Sequence, residues 1–250
     1  MLSRTGSWLA RYLDQPIRHY EPLAVVSLDC LAAVLKPADV LLVEGKSRVS
    51  TPIKYLTQST WSHAALFVGD FRETGRGLEA PTLIEADLRH GVRAVSLSSY
   101  DGHNLRICRP VGLTEADGAL VCRYALERIG LQYDLKNIID LARYLLPVPP
   151  VPVYWRRQLL ALGSGSPTRA ICSTLIAQAF QSVRYPILPL IETDGRQPLT
   201  QGAREVLHVR HHSLFTPRDF DISPYFQILK PEVECGFDYH ELNWGKTATA

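Results

Sequence analysis

The chain lacks several features that would place it early in a functional class. Its five cysteines are an odd number at scattered positions, and none form a CxxC pair. That spacing argues against a zinc site and against a disulfide framework. Unpaired thiols suit a reducing compartment. The net charge is only +2, too small to call for nucleic acid as a partner. The longest apolar stretch, 22–35, contains Asp29 and is too short to cross a bilayer. Arg4 and Arg11 are followed by Asp14 and Arg18, so no secretory signal is read at the N-terminus. There is no internal repeat and no low-complexity block, and nothing calls for a cofactor or a resident metal. These absences lead to the expectation of a cytoplasmic protein.

What is present is enough apolar sequence for a substantial core. A chain of 250 residues buries roughly 70–75% of its unfolded surface and needs no staple to fold. Residues 7–13 and 23–35 read as helices, the second either buried or lipid-facing. Pro37-Ala38-Asp39 reads as a turn and Val40-Leu41-Leu42-Val43 as a short buried strand. Ser50-Thr51-Pro52 opens a helix. Strands are expected at 61–70, 82–86, 91–96 and 105–109, with short links that imply an antiparallel sheet in an α+β fold. Thr114 begins a capping box, and Gly130 closes the helix that follows. Late strands are expected at 206–210 and 225–229, while 184–198 and the Thr216-Pro217 stretch read as turns.

Three residues then attract attention. Cys172 precedes Leu175, Ile176, Ala179 and Phe180 at helical spacing, and the breakers at 163–167 set the helix start close to it. A thiol in a first turn sits among unpaired N–H groups at the positive end of the helix dipole, which favours the thiolate. A small core residue is the plainer reading. His63 begins a strand that is apolar on both faces. Glu85 sits within the next apolar strand, where a carboxylate is costly to bury without a partner. If the two strands pair, His63 and Glu85 become neighbours. A thiol nucleophile needs a nearby base, and the base needs a third group to hold it. The adjacent pair His211-His212 reads as a solvated loop, since neighbours on a strand point to opposite faces. Cys30, Cys108, Cys122 and Cys235 read as core thiols or spares.

The segments Pro37-Ala38-Asp39-Val40-Leu41-Leu42, Thr57-Gln58-Ser59-Thr60-Trp61-Ser62-His63, Leu83-Ile84-Glu85-Ala86 and Ile171-Cys172-Ser173-Thr174-Leu175-Ile176 resemble, in that order, the permuted NlpC/P60 hydrolases. These are the YiiX/YebB-like papain-fold proteins, related to the lecithin–retinol acyltransferase group. Tyr133-Asp134 and Thr216-Pro217-Arg218-Asp219-Phe220 also look like that family. The resemblance implies a circularly permuted papain-like fold, with an antiparallel sheet packed against the helix that carries the nucleophile. It implies Cys172 as nucleophile, His63 as base and Glu85 as the group that orients the base. Tyr133, Ser62 and Ser173 are the candidates for oxyanion or substrate contacts. Ala38 departs from the family, which usually has glycine there.

The implied activity is cleavage of an amide or ester through a thioester. The substrate expected is a small molecule, a peptide or a lipid, with a non-catalytic ligand- or lipid-binding module as the alternative. The expected division is an N-terminal helical extension (1–35), a catalytic domain (36–230) and a tail (231–250). A hydrophobic insert at 135–162 carries Tyr154-Trp155-Arg156-Arg157, which suits either a peripheral membrane contact or an ordinary packed helix.

Overall fold

The alternating apolar segments pair into one sheet. A computed structural model describes residues 26–47, 50–69, 82–87, 90–132, 171–192 and 206–241. The expected helices at 7–13 and in the 135–162 insert, and the Trp155 cluster, lie outside the described residues. The strands are β1 (Val40–Val43), β2 (His63–Gly69), β3 (Thr82–Asp87), β4 (Gly91–Ser96), β5 (Leu105–Pro110), β6 (Leu190–Glu192), β7 (Val206–His208) and β8 (Phe226–Leu229). Six of them form a sheet in the order β4-β3-β2-β1-β5-β8, antiparallel at every step. β6 and β7 form a separate two-stranded ribbon. The fold is α+β.

Both faces of the sheet are covered, which is why β1 is apolar throughout and wholly buried. The helices are α1 (Leu28–Val34), α2 (Ser50–Thr57), α3 (Glu115–Leu126), α4 (Ile171–Ser182), α5 (Pro217–Asp221) and α6 (Pro231–Glu234). On one face, Val40, Leu42, Ala64, Leu66 and Ile84 meet Val121, Cys122 and Ala125 of α3 and Leu175, Ile176, Ala179 and Phe180 of α4. Burying each of those large side chains is worth roughly 1.5–3 kcal/mol. On the other face, Leu41, Val43, Ala65, Phe67 and Leu83 meet Leu31 of α1 and the 3₁₀ turn Leu97–Tyr100.

Local chemistry sets the element ends. The Thr114 side chain accepts the Asp117 N–H at 3.1 Å and caps α3. Ala38 has φ 71°, a left-handed conformation that favours glycine. The turn around it is held by Asp39, wholly buried, whose carboxylate accepts from Arg109 Nε at 2.9 Å and from the Lys36 N–H at 2.8 Å. Gly91 also has a positive φ, and a Cβ there would come within 2.2 Å of the Leu131 carbonyl. Leu131 needs that space because its carbonyl accepts the Val92 N–H at 2.9 Å.

Four expectations change. α1 is shorter than 23–35, because Ser27 is extended and the helix starts after it. Its Leu31 is sealed against the sheet, so the helix faces protein rather than lipid. Thr216-Pro217 opens a helix rather than a turn: Asp219 Oδ2 accepts both the Thr216 N–H (2.7 Å) and its hydroxyl (2.8 Å), and Phe220 is fully buried. The turn-rich stretch 184–198 contains β6.

The fourth concerns Cys30 and Cys235, which are neither core thiols nor spares. They form a disulfide between α1 and α6 across a sequence separation of 205 residues. Spacing gave no hint, because the contact depends on where the end of the chain returns. The bridge is the kind an oxidising environment supports, against the reducing compartment inferred from the cysteine count. Closing so long a loop restricts the unfolded chain, so replacing both cysteines by serine should remove about 2–5 kcal/mol of stability. Urea unfolding with and without reductant measures this. An unchanged midpoint would show that the bridge does not stabilise the fold.

Candidate active site

The site forms where the start of α4 meets the start of β2. Cys172 is the second residue of α4 and 4% exposed. Its own N–H is one of the four that a helix start leaves without an intrahelical acceptor. The apolar residues behind it on α4 anchor the helix to the sheet, which fixes the height of the sulfur above β2. His63 is the first residue of β2, and its side chain is 24% exposed. Leu66 pairs with Ile84 and Phe67 with Leu83. Continuing that register sets Glu85 opposite Ala65, with His63 diagonal to it on the same face.

Glu85 is fully engaged. Its Oε2 lies 2.7 Å from His63 Nε2 and also accepts the Tyr100 hydroxyl. Its Oε1 accepts Arg93 Nε at 2.8 Å, and Arg93 reaches Asp87 as well. With Nε2 held by the carboxylate, Nδ1 is the ring nitrogen left to face the Cys172 thiol.

The electrostatics follow from these contacts. Burial lifts the Cys172 pKa, but the His63 charge and hydrogen bond, the Ala64 N–H and the Ser173 hydroxyl outweigh it and hold the thiol below its ordinary value. Burial pushes His63 down, yet Cys172 and then Glu85 raise it well above the imidazole range. Burial raises Glu85, while His63, Tyr100 and Arg93 bring it down to about 2. These directions favour a thiolate–imidazolium pair backed by an ionised carboxylate. The other free thiols go the opposite way: burial pushes Cys122 up to about 11, and Cys108 higher.

The structure thus brings Cys172, His63 and Glu85 together. Ser173 is buried, its hydroxyl 3.9 Å from the Cys172 sulfur. Ser62 is turned to a backbone task, its hydroxyl accepting the Gly45 N–H at 3.0 Å. A Cβ on Gly45 would lie 2.7 Å from that oxygen, so the approach needs glycine. Tyr133 lies outside the described residues. His211 and His212 lie at a 3₁₀ turn beyond β7 rather than on a strand, with ring centroids 4.0 Å apart. Among the described residues no group of three or more His, Cys, Asp or Glu side chains is arranged to hold a metal ion. Nor is any described helix long and apolar enough to cross a membrane.

Sequence reasoning missed Arg93 and Tyr100. Arg93 was legible in principle: Glu85 and Arg93 are equidistant from the β3–β4 hairpin turn and pair directly in its register. Tyr100 arrives from a 3₁₀ turn with no periodicity to mark it.

No family model matches the chain, and no curated protein matches it. Among solved structures it is similar to the crystal structure of the metalloprotein yiiX from Escherichia coli. The TM-score is 0.47 at 16% identity, covering 78% of this chain and 96% of that one.

Glu85→Gln removes the charge that supports the imidazolium. NMR titration of the His63 ring should then show its pKa falling toward the ordinary value. An unchanged titration would contradict the role given to Glu85. The same carboxylate makes stability pH-dependent. Its folded value of about 2 lies below the ordinary 4.5, so its contribution is complete above pH 4.5 and is lost as pH falls toward 2.

Proposed function

We propose that the chain is a thiol-dependent hydrolase or acyltransferase that cleaves an amide or ester. One observation carries the reading: a buried thiol at a helix start, beside a histidine whose far nitrogen is held 2.7 Å from Glu85, with burial outweighed by these neighbours so that the thiol is lowered and the imidazole raised. The Cys172 thiolate attacks the substrate carbonyl, and His63 gives its proton to the departing amine or alcohol. A thioester remains on Cys172. Water or an acceptor nucleophile, deprotonated by His63, then attacks the thioester and releases the acyl group. The Cys172 N–H is the first candidate donor to the oxyanion. Glu85 holds the imidazole orientation throughout.

The permuted papain-like (NlpC/P60) fold belongs to the same proposal. It is supported by the antiparallel sheet, by the helix of Cys172 packed against it, and by the chain order His, Glu, Cys. The substrate proposed is an acyl amide or ester of a small molecule, peptide or lipid. A second reading, a binding module without turnover, draws on the 4% exposure of Cys172.

Labelling with a thiol-reactive acyl probe separates the two. The enzyme reading expects label on Cys172, none after Cys172→Ser, and about 10²–10⁴-fold slower labelling after His63→Ala. Label on Cys108 or Cys122 in preference to Cys172 would overturn it, and an unlabelled but folded protein would favour the binding module.

A further inference from the structure

At the far end of α4, about 14 Å along the axis from Cys172, the protein has a cavity of about 310 Å³. That volume is at the low end for small-molecule sites, roughly 300–1,000 Å³. Its apolar lining comes from Pro186, Ile187, Leu188, Pro189, Val209 and Phe215. Among the described residues its charged lining is Arg184 and Arg210, and no described carboxylate lines it. The remaining polar side chains among its described lining residues are spent on the backbone. The Tyr185 hydroxyl donates to the Val111 and Tyr225 carbonyls, and the Gln181 amide to the Arg210 carbonyl. Arg210 lies over the Phe215 ring, and among the described residues its guanidinium pairs with Asp219 and reaches the Leu214 carbonyl, each at 3.4 Å. Arg184 makes no ion pair among the described residues.

The backbone at Arg184 points the same way. α4 ends in a Schellman motif: the Tyr185 N–H reaches the Phe180 carbonyl at 3.0 Å and the Arg184 N–H reaches the Gln181 carbonyl at 3.0 Å. The Phe180 and Tyr185 rings, 5.4 Å apart, supply its usual hydrophobic contact. The motif's left-handed position is normally glycine, yet Arg184 occupies it with φ 58°.

We infer that this cavity binds a small amphiphilic carboxylate, its apolar chain among Ile187, Leu188 and Phe215 and its charge on Arg184 and Arg210. A guanidinium matches a carboxylate in geometry and charge. This site is separate from Cys172 and does not rest on the proposed chemistry.

Isothermal titration with decanoate tests it, with decanol as the uncharged probe. Wild type should bind decanoate at least about tenfold more tightly than decanol. Arg184→Gly should weaken decanoate binding about tenfold or more while leaving the unliganded melting temperature equal or higher, since glycine relieves the left-handed position. Leu188→Trp should block binding by filling the cavity, and Cys172→Ser should leave it unchanged. No binding by wild type, equal affinity for decanol, unaltered binding by Arg184→Gly, or loss of binding in Cys172→Ser would each overturn the inference.

Discussion

The structure depends most on how one buried carboxylate is satisfied. Glu85 sits in the third strand at 5% exposure, where an unpaired charge would be expelled or protonated. Instead Tyr100 and His63 meet one oxygen and Arg93 the other. Each donor comes from a different element: the start of β2, the turn after β4, and β4 itself. The carboxylate therefore cannot be satisfied unless those elements are in register. In return, its retained charge adds to that of Cys172 in raising the pKa of the His63 imidazole. A group that is expensive to bury is thus both a check on the fold and a contributor to the site's electrostatics.

The two faces of the sheet divide the work. α4 and α3 cover one face and hold the sulfur at the end of β2. α1 covers the other, packing in one cluster with Leu97 and Tyr100, the turn that supplies the Glu85 donor. The Cys30–Cys235 bridge ties α1 to α6 on that side. Cys172 is thereby positioned from one layer, and His63 and Glu85 from the other. They meet at the open end of β2 because His63 is its first residue, where the alternation of faces has only begun.

Much of this was legible in the sequence because it is local. Val40–Val43 reads as a central strand from its apolar run, and α4 from the spacing of Leu175, Ile176, Ala179 and Phe180. The neighbourhood of His63 and Glu85 follows from two strands with a register. What escaped is non-local or aperiodic. The cysteine bridge depends on the chain end returning to α1. Tyr100 sits on a single 3₁₀ turn, and β6 is three residues among prolines. The capping box at Thr216 was misread as a turn because its signature, hydroxyl then Asp219, is shared by turns and helix starts. Ser62 could not be assigned without seeing Gly45 beside it.

The central claim is that Cys172 is a thiolate because His63 faces it, and the pH dependence of its alkylation by iodoacetamide tests that most directly. The account predicts that Cys172 reacts below the pH at which an ordinary thiol ionises, that Cys108 and Cys122 do not, and that His63→Ala moves the Cys172 profile upward. A wild-type profile for Cys172 that rises only near the ordinary thiol value, unchanged by His63→Ala, would contradict it.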